Sequence, residues 1–235
     1  MSDLFWLTDE QMDRLRPFFP KSHGKPRVDD RRVLSGIIFV NRNGMRWRDA
    51  PREYGPHKTL YNRWKRWSDM GVFMRMMDGL SAAKAEPQTI MIDATYLKAH
   101  RMASSLRFKK GDPGRLIGRT KGGMNTKLHA VSDYTGAAAL LDRLPAAQWM
   151  LADRGYDADW FRDALEEKGI RPCIPGRRSR GKPVKYDKRK YKRRNRIEIM
   201  FGRLKDWRRV ATRYDRCPNV FFSAICLAAT VIFWL

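Results

Sequence analysis

The sequence predicts an all-helical N-terminal unit followed by an α/β unit, and three observations carry that prediction. Residues 1–80 place apolar side chains at helical spacing with capping residues between the runs. From Thr89 onward the pattern changes to short apolar runs of strand type, two of which hold an aspartate, Asp93 and Asp153. Amphipathic helical segments follow those runs, at Asp159–Lys168 and at Tyr191–Lys205. The chain has 235 residues, 43% of them hydrophobic, and 8 Trp, which suits one large or two small domains with a sizeable core and excludes wholesale disorder.

In the N-terminal unit, Thr8 or Asp9 caps a helix through Gln11, Met12, Leu15 and Phe19, which Pro20 ends. Asp29 or Asp30 opens a second helix that buries Val33, Leu34, Ile37, Ile38 and Val40 and stops near Gly44. RWRDAPREYGP is a turn-rich connection. A third helix from about Lys58 to Met70 has Leu60, Tyr61, Trp64 and Trp67 recurring at helical spacing and offers Lys58, Asn62, Arg63, Lys65 and Arg66 on its other face. A short helix around Val72–Leu80 closes the unit. Helices leading by a turn into a basic, aromatic-rich third helix give a helix-turn-helix-like arrangement; a plain bundle with a solvated basic face is the alternative.

Ala82–Pro87 reads as a linker. Thr89–Leu97 is a buried-type strand, and a carboxylate in its middle is costly unless Asp93 is paired or binds a metal, or lies on an exposed face. Residues 98–123 are basic and Gly-rich but lack the G-x4-G-K-[ST] spacing of a P-loop, so a phosphate-contacting loop carrying Arg119 and Lys121 fits better. Thr126–Val131 is a second strand, and Asp133 starts a helix, DYTGAAALLDRL. Gln148–Asp153 is a third strand, ending in Asp153 with Gly155 to permit a sharp turn where α/β sheets place their sites. The helix Asp159–Lys168 stops at Gly169, and Ile170–Ile174 is another short strand.

The formal net charge is +24, so a polyanion is the expected partner, nucleic acid before an anionic membrane. Residues 171–216 alone hold 19 Lys or Arg against four acids, Asp187, Glu198, Asp206 and Asp215. Cys173, Cys217 and Cys226 are scattered, with no zinc spacing, which suits a reducing cytosol. No basic region followed by an apolar run opens the chain, so no signal peptide is expected. The apolar run Val220–Leu235 is short for a membrane span and is expected to be a core helix.

Tyr191–Lys205 is predicted as one helix. At about 100° per residue, Tyr191, Arg194, Glu198 and Lys205 then share one face. A lone Glu among cations there is either a surface salt bridge from Arg194 or a metal-binding carboxylate beside phosphate-gripping cations. Asp93, Asp153 and Glu198 come from separate elements. If they converge they can hold two divalent cations about 4 Å apart, Mg²⁺ or Mn²⁺ by the hardness of oxygen ligands, for phosphoryl transfer. No serine nucleophile elbow competes, and His23, His57, His100 and His129 lack ligand spacing.

At these residues the chain resembles bacterial insertion-sequence transposases of the IS-four/IS-five superfamily, most closely the IS-five family. LTDEQMDRLRPFFP and VDDRRVLSGIIFVNRNGMRWRDAPREYGPHKTLYNRWKRW resemble the family's N-terminal DNA-binding region. IDATYLKAH and LADRGYDAD resemble the motifs of its first and second catalytic aspartates, and GRTKGGMNTKLHAV its Gly-rich and second-strand region. Tyr191, Arg194, Glu198 and Lys205 keep every spacing of the pattern Y-x2-R-x3-E-x6-K.

The resemblance implies a ribonuclease-H-like mixed sheet with flanking helices in about 89–235, after a helical DNA-binding domain in about 1–80. It implies a DDE triad of Asp93, Asp153 and Glu198 with two Mg²⁺ or Mn²⁺ ions, cleavage of double-stranded DNA at the terminal inverted repeats, and attack of the freed 3′-hydroxyl on target DNA. Lys205 would contact a phosphate, Arg194 would do so or orient Glu198, and Tyr191 would bind or pack. A homodimer or larger assembly on DNA in the bacterial cytoplasm is expected. One departure stands out: a hairpin turn and about one strand of 5–6 residues are missing after Val131. The second strand would then be an exposed edge prone to wrong pairing. The alternative reading is therefore an inactive DNA-binding remnant that occupies element ends.

Overall fold

The computed structural model describes residues 3–21, 29–81, 89–104, 116–132 and 146–235. Its elements run in order α1 (Asp9–Leu15), α2 (Asp30–Asn43), α3 (His57–Asp69), α4 (Val72–Ser81), β1 (Thr89–Ala99), α5 (Arg101–Ser104), β2 (Gly118–Thr120), β3 (Gly123–Ser132), β4 (Trp149–Ala152), α6 (Asp159–Glu167), β5 (Arg171–Cys173), α7 (Lys188–Lys192), α8 (Asn195–Lys205), α9 (Arg208–Ala211), β6 (Thr212–Arg213) and α10 (Pro218–Phe233). They form two compact units. One gathers Met1–Leu80, Leu97–Thr126 and Arg203–Leu235, and the other Ser81–Tyr96 and Lys127–Gly202.

In the first unit, the Thr8 hydroxyl accepts from Gln11 N, and Thr8 N donates back to the Gln11 side chain, so a capping box opens α1. The helix ends at Leu15 rather than running to Phe19. Pro17 has no N–H to continue the ladder, and the chain tightens into a 3₁₀ turn, Arg16–Phe18. Asp29 caps α2 through Arg31 N, and Gly44 closes it at a φ of 69°. The turn-rich connection becomes two 3₁₀ turns, Trp47–Asp49 and Arg52–Tyr54.

α2 passes close to Tyr54. A Cβ at Gly36 would stand 2.6 Å from Tyr54 Cβ. Gly36→Ala is therefore expected to destabilise the protein by about 1–3 kcal/mol despite the better helix propensity of alanine. Thermal or urea denaturation reads this directly, and an unchanged midpoint would mean that the 3₁₀ turn bearing Tyr54 yields freely.

α10 is apolar on nearly every side, with Val220, Phe221, Ala224, Cys226, Leu227 and Ala228 buried, and it packs on α2, α3 and α9. It is a core helix, as its length suggested; among the described residues no helix is long and apolar enough to cross a membrane. Two arginines of the basic stretch are also buried here. Arg213 donates to Thr126 Oγ1 (2.9 Å), Asp215 O (2.8 Å) and Arg216 O (3.0 Å) and lies over the Phe221 ring. Arg209 donates to Met45 O at 2.9 Å, stacks on Trp47, and sits 3.7 Å from Asp215. Burial lowers the Arg209 pKa and raises that of Asp215.

In the second unit, β1, β4 and β5 run parallel, with Ile90↔Met150, Ile92↔Ala152 and Leu151↔Cys173 in register. One sheet face is covered by α6 and buries Ile90, Ile92, Met150 and Ala152 with Phe161, Leu165, Ile170 and Ile174. α7 lays Lys190 over the Trp149 ring at 4.8 Å, while Arg171 also lies over that ring, at 5.5 Å.

The strand order is β2-β3-β1-β4-β5, with β6 paired to the end of β1, so the sheet is mixed. β3 continues through the Val131–Ser132 junction. Its antiparallel neighbour β2 precedes it in the chain and pairs with Gly123, Met124 and Asn125. The expected helix from Asp133 lies outside the described residues, as do positions 105–115 of the Gly-rich loop and the linker 82–88.

The single helix expected over Tyr191–Lys205 is broken. α7 ends at Lys192 and α8 begins at Asn195, with i→i−3 bonds from Arg193, Arg194, Arg196 and Ile197 between them. A continuous helix would stack Arg189, Lys190, Lys192, Arg193, Arg194 and Arg196 at i+3 and i+4, where like charges repel. Within this tightened turn Arg194 reaches Asp93.

Candidate active site

Asp93 and Asp153 each stand one residue beyond the paired Ile92↔Ala152. Side chains alternate along a strand, and Ile92 and Ala152 point into the core under α6. Asp93 in β1 and Asp153, the extended residue just past the end of β4, therefore project from the opposite face of the sheet, at neighbouring parallel strands about 4.8 Å apart. Asp153 also caps the 3₁₀ turn Arg154–Tyr156, its Oδ1 accepting from Gly155 N at 2.9 Å. Asp93 Oδ1 accepts from Ala94 N at 2.8 Å. The Tyr156 hydroxyl registers both acids: burial, then the negative charges of Asp153 and Asp93, push its pKa up to about 12.

Arg194 connects this pair to the third acid. Its Nη1 donates to Asp93 Oδ2 at 2.8 Å, and its Nη2 donates to Glu198 Oε1, one turn further along. The i, i+4 salt bridge that the sequence suggested for Glu198 exists, and the same guanidinium holds Asp93. Arg194 is mostly buried; that burial alone would lower its pKa, but Asp93, Tyr191 and Glu198 raise it overall. Tyr191 packs its ring 5.7 Å from the guanidinium carbon and edge-on to Tyr186, a supporting position.

The donor set suits a hard cation, with two neighbouring carboxylates on one face and a third tethered through Arg194. Among the described residues no three His, Cys, Asp or Glu are gathered closely enough to enclose a metal. The bridging guanidinium supplies the positive charge that the acids need.

The remaining predicted phosphate contacts lie as follows. Lys205 is exposed at the end of α8, about two turns beyond Glu198 on the same helix face. Arg119 in β2 and Lys121 in the following turn are exposed. On α3, Lys58 and Arg66 are exposed, whereas Lys65 pairs with Asp69 at 2.6 Å and Arg63 pairs with Asp30 at 2.7 Å and lies over Trp67. Arg63 is thereby part of the bundle's own packing.

Sequence reasoning missed Asp157. Its carboxylate has 0% side-chain exposure and is bonded to Arg162, Arg180 and the Arg177 backbone. Burial alone would raise its pKa; the Arg177 N–H, the Arg162 hydrogen bond and the charges of Arg162 and Arg180 outweigh that and hold it below the usual carboxylate range. The signal was present as an acid four residues after Asp153, with Arg162 five residues further on and an arginine-rich loop at 177–180. In DRGYDAD, however, it reads as one more turn residue.

Two family models match the chain: “Putative transposase of IS4/5 family” over residues 7–77 and “Transposase DDE domain” over residues 150–235. The second span contains Asp153 and Glu198. A relative named “Uncharacterized protein y4sN”, from Sinorhizobium fredii, is 37% identical over 108 residues, 45% of this chain and 86% of that protein. The “Putative transposase for insertion sequence element IS6501” of Brucella ovis is 33% identical over 131 residues, 48% of this chain and 99% of that protein. The “Insertion element IS402 uncharacterized 16.2 kDa protein” of Burkholderia cepacia is 34% identical over 82 residues, 34% of this chain and 56% of that protein. No solved structure matches.

Proposed function

Since the chain belongs to the IS4/5 family of insertion-sequence transposases, we propose that it cleaves double-stranded DNA at the ends of its element and transfers the freed 3′ ends into target DNA. The mixed sheet with flanking helices is the ribonuclease-H-like fold that a DDE transposase domain implies. The observation that supports the chemistry is the side-by-side placement of Asp93 and Asp153 on one sheet face, with Arg194 joining Asp93 to Glu198.

Asp93, Asp153 and Glu198 would hold the divalent cations, two Mg²⁺ or Mn²⁺ ions in this reading. Such ions activate an attacking oxygen and steady the leaving oxygen when bound. Arg194 neutralises Asp93 and Glu198; with cations held by the acids, its donors would be available to a DNA phosphate or would keep Glu198 oriented. Tyr191 supports its guanidinium. Lys205 contacts a phosphate near the scissile bond. We assign recognition of the terminal inverted repeats to the helices of residues 1–80, through Lys58 and Arg66 of α3, and chemistry to residues 89–235. Arg119 and Lys121 of the β2–β3 hairpin contact the backbone. Two ends must be brought together, so a homodimer or larger assembly on DNA is expected, acting in the bacterial cytoplasm on the nucleoid.

Affinity for duplex DNA is expected to fall steeply with salt, with a log–log slope of about −0.9 for each phosphate neutralised. Titration of a labelled duplex carrying the element's ends at several KCl concentrations measures it. A flat response would remove the DNA-binding reading.

A further inference from the structure

We propose that the loop 175–182 is a phosphate-gripping strap that holds a DNA backbone beside Asp153, and that Asp157 is the buried post to which the strap is tied. This rests on the proposal above that the unit acts on DNA, and it names a contact surface that neither the triad nor the Tyr191–Lys205 segment contains.

The loop between β5 and α7 carries Arg177, Arg178, Arg180 and Lys182 with no regular structure from Pro175 to Lys182. A charge run of that kind is ordinarily solvated and free to move. Here it is tied at several points. Asp157 Oδ2 accepts from Arg177 N at 2.7 Å, and Asp157 Oδ1 accepts from Arg180 Nη1 and from Arg162 Nε, both at 2.9 Å. Arg162 in turn donates to Ile174 O at 2.8 Å, fixing the start of the loop. The Arg177 side chain donates to Gly155 O at 2.7 Å and Arg154 O at 3.2 Å, the carbonyls of the turn that Asp153 caps. Arg180 also pairs with Asp159.

Burying a carboxylate is expensive, and a surface loop gains little stability from it. What the arrangement does achieve is position. It pins Arg177 and Arg180 to the turn that follows Asp153 and to its post, while Arg178 and Lys182 of the same loop stay exposed to solvent. Exposed cations on a loop anchored to the turn after Asp153 suit a phosphodiester backbone, because an anchored loop loses less entropy on binding than a free one does.

The double variant Arg178→Ala/Lys182→Ala tests this in the full-length chain, by titration of a labelled duplex from low to high KCl. The expected result is a salt slope shallower by about 2, one for each phosphate contact removed. Affinity at low salt should drop about tenfold, with the melting temperature unchanged. Asp157→Asn is expected to lose part of the same increment and to expose Arg177–Arg180 to faster cleavage by trypsin. A wild-type chain without salt-dependent binding would overturn the DNA reading itself. A steep wild-type slope that the double variant retains would leave that reading intact and overturn the strap.

Discussion

Alanine at Asp93, Asp153 or Glu198 is expected to lower Mg²⁺-dependent nicking of a plasmid carrying the element's ends by about 10³-fold or more, while DNA affinity stays within a few-fold. Each substitution removes a carboxylate from a set that can supply only three. The cations they hold would stabilise charge on both the attacking and leaving oxygens. Losing even about 4 kcal/mol of that stabilisation gives a thousandfold at 1.36 kcal/mol per decade. Binding behaves differently, because the backbone is drawn in by cations elsewhere on a +24 chain. Removing an acid eases repulsion of the phosphates. The three variants also differ structurally. Glu198→Ala leaves Arg194 on Asp93, whereas Asp93→Ala leaves it on Glu198 alone. Cleavage that survives in Asp93→Ala would dissolve the triad. A wild-type protein that binds ends tightly yet never nicks them would favour the inert remnant, and the Val131–Ser132 junction would be the first place to look.

The acids of the candidate site stand out in the sequence because each breaks a local rule. An aspartate inside Ile-Met-Ile-Asp-Ala, another closing Trp-Met-Leu-Ala-Asp, and a glutamate among cations all demand a compensating partner. The register that sets Asp93 beside Asp153 was not legible, since periodicity says that a strand is buried but not which strand adjoins it. The same limit hid the association of α10 with α2 and α3: an apolar run announces a core without saying whose. Charge misled in two places. Arg209 and Arg213 lie in a stretch that reads as a solvated face, yet both are buried on ring and carbonyl partners. The helix of Tyr191–Lys205 has the right composition throughout, but i→i−3 bonds interrupt it at residues 193–194, where Arg194 reaches Asp93. Spacing preserved the motif while the geometry that spacing suggested changed.

Asp157→Ala should be the most damaging change outside the triad, lowering stability by about 3 kcal/mol and the melting temperature by roughly 6–12 °C. The mechanism is the stranding of its partners rather than the loss of the acid itself. Arg162 is 10% exposed and Arg180 24%, so Arg162 in particular would be left with its charge largely out of water and only the Ile174 carbonyl to bond. The cost stays at the low end for a broken buried pair because Arg180 can swing outward and Asp159 remains to receive it. The acid's depressed pKa makes the effect pH-dependent with a definite sign. A carboxylate held below its unfolded value contributes fully above that value, about 3.9, and loses its contribution as pH falls through the folded one. The stability gap between wild type and Asp157→Ala should therefore be constant near neutrality and close in acid, below about pH 4. Arg180→Ala should cost much less, since Asp157 would keep Arg162 and the Arg177 N–H. Urea denaturation of the three proteins at pH 7 and pH 3 separates these outcomes. A gap below about 1 kcal/mol at pH 7, or one that persists unchanged at pH 3, would show that the loop 175–182 is anchored by other contacts and that Asp157 is dispensable to it.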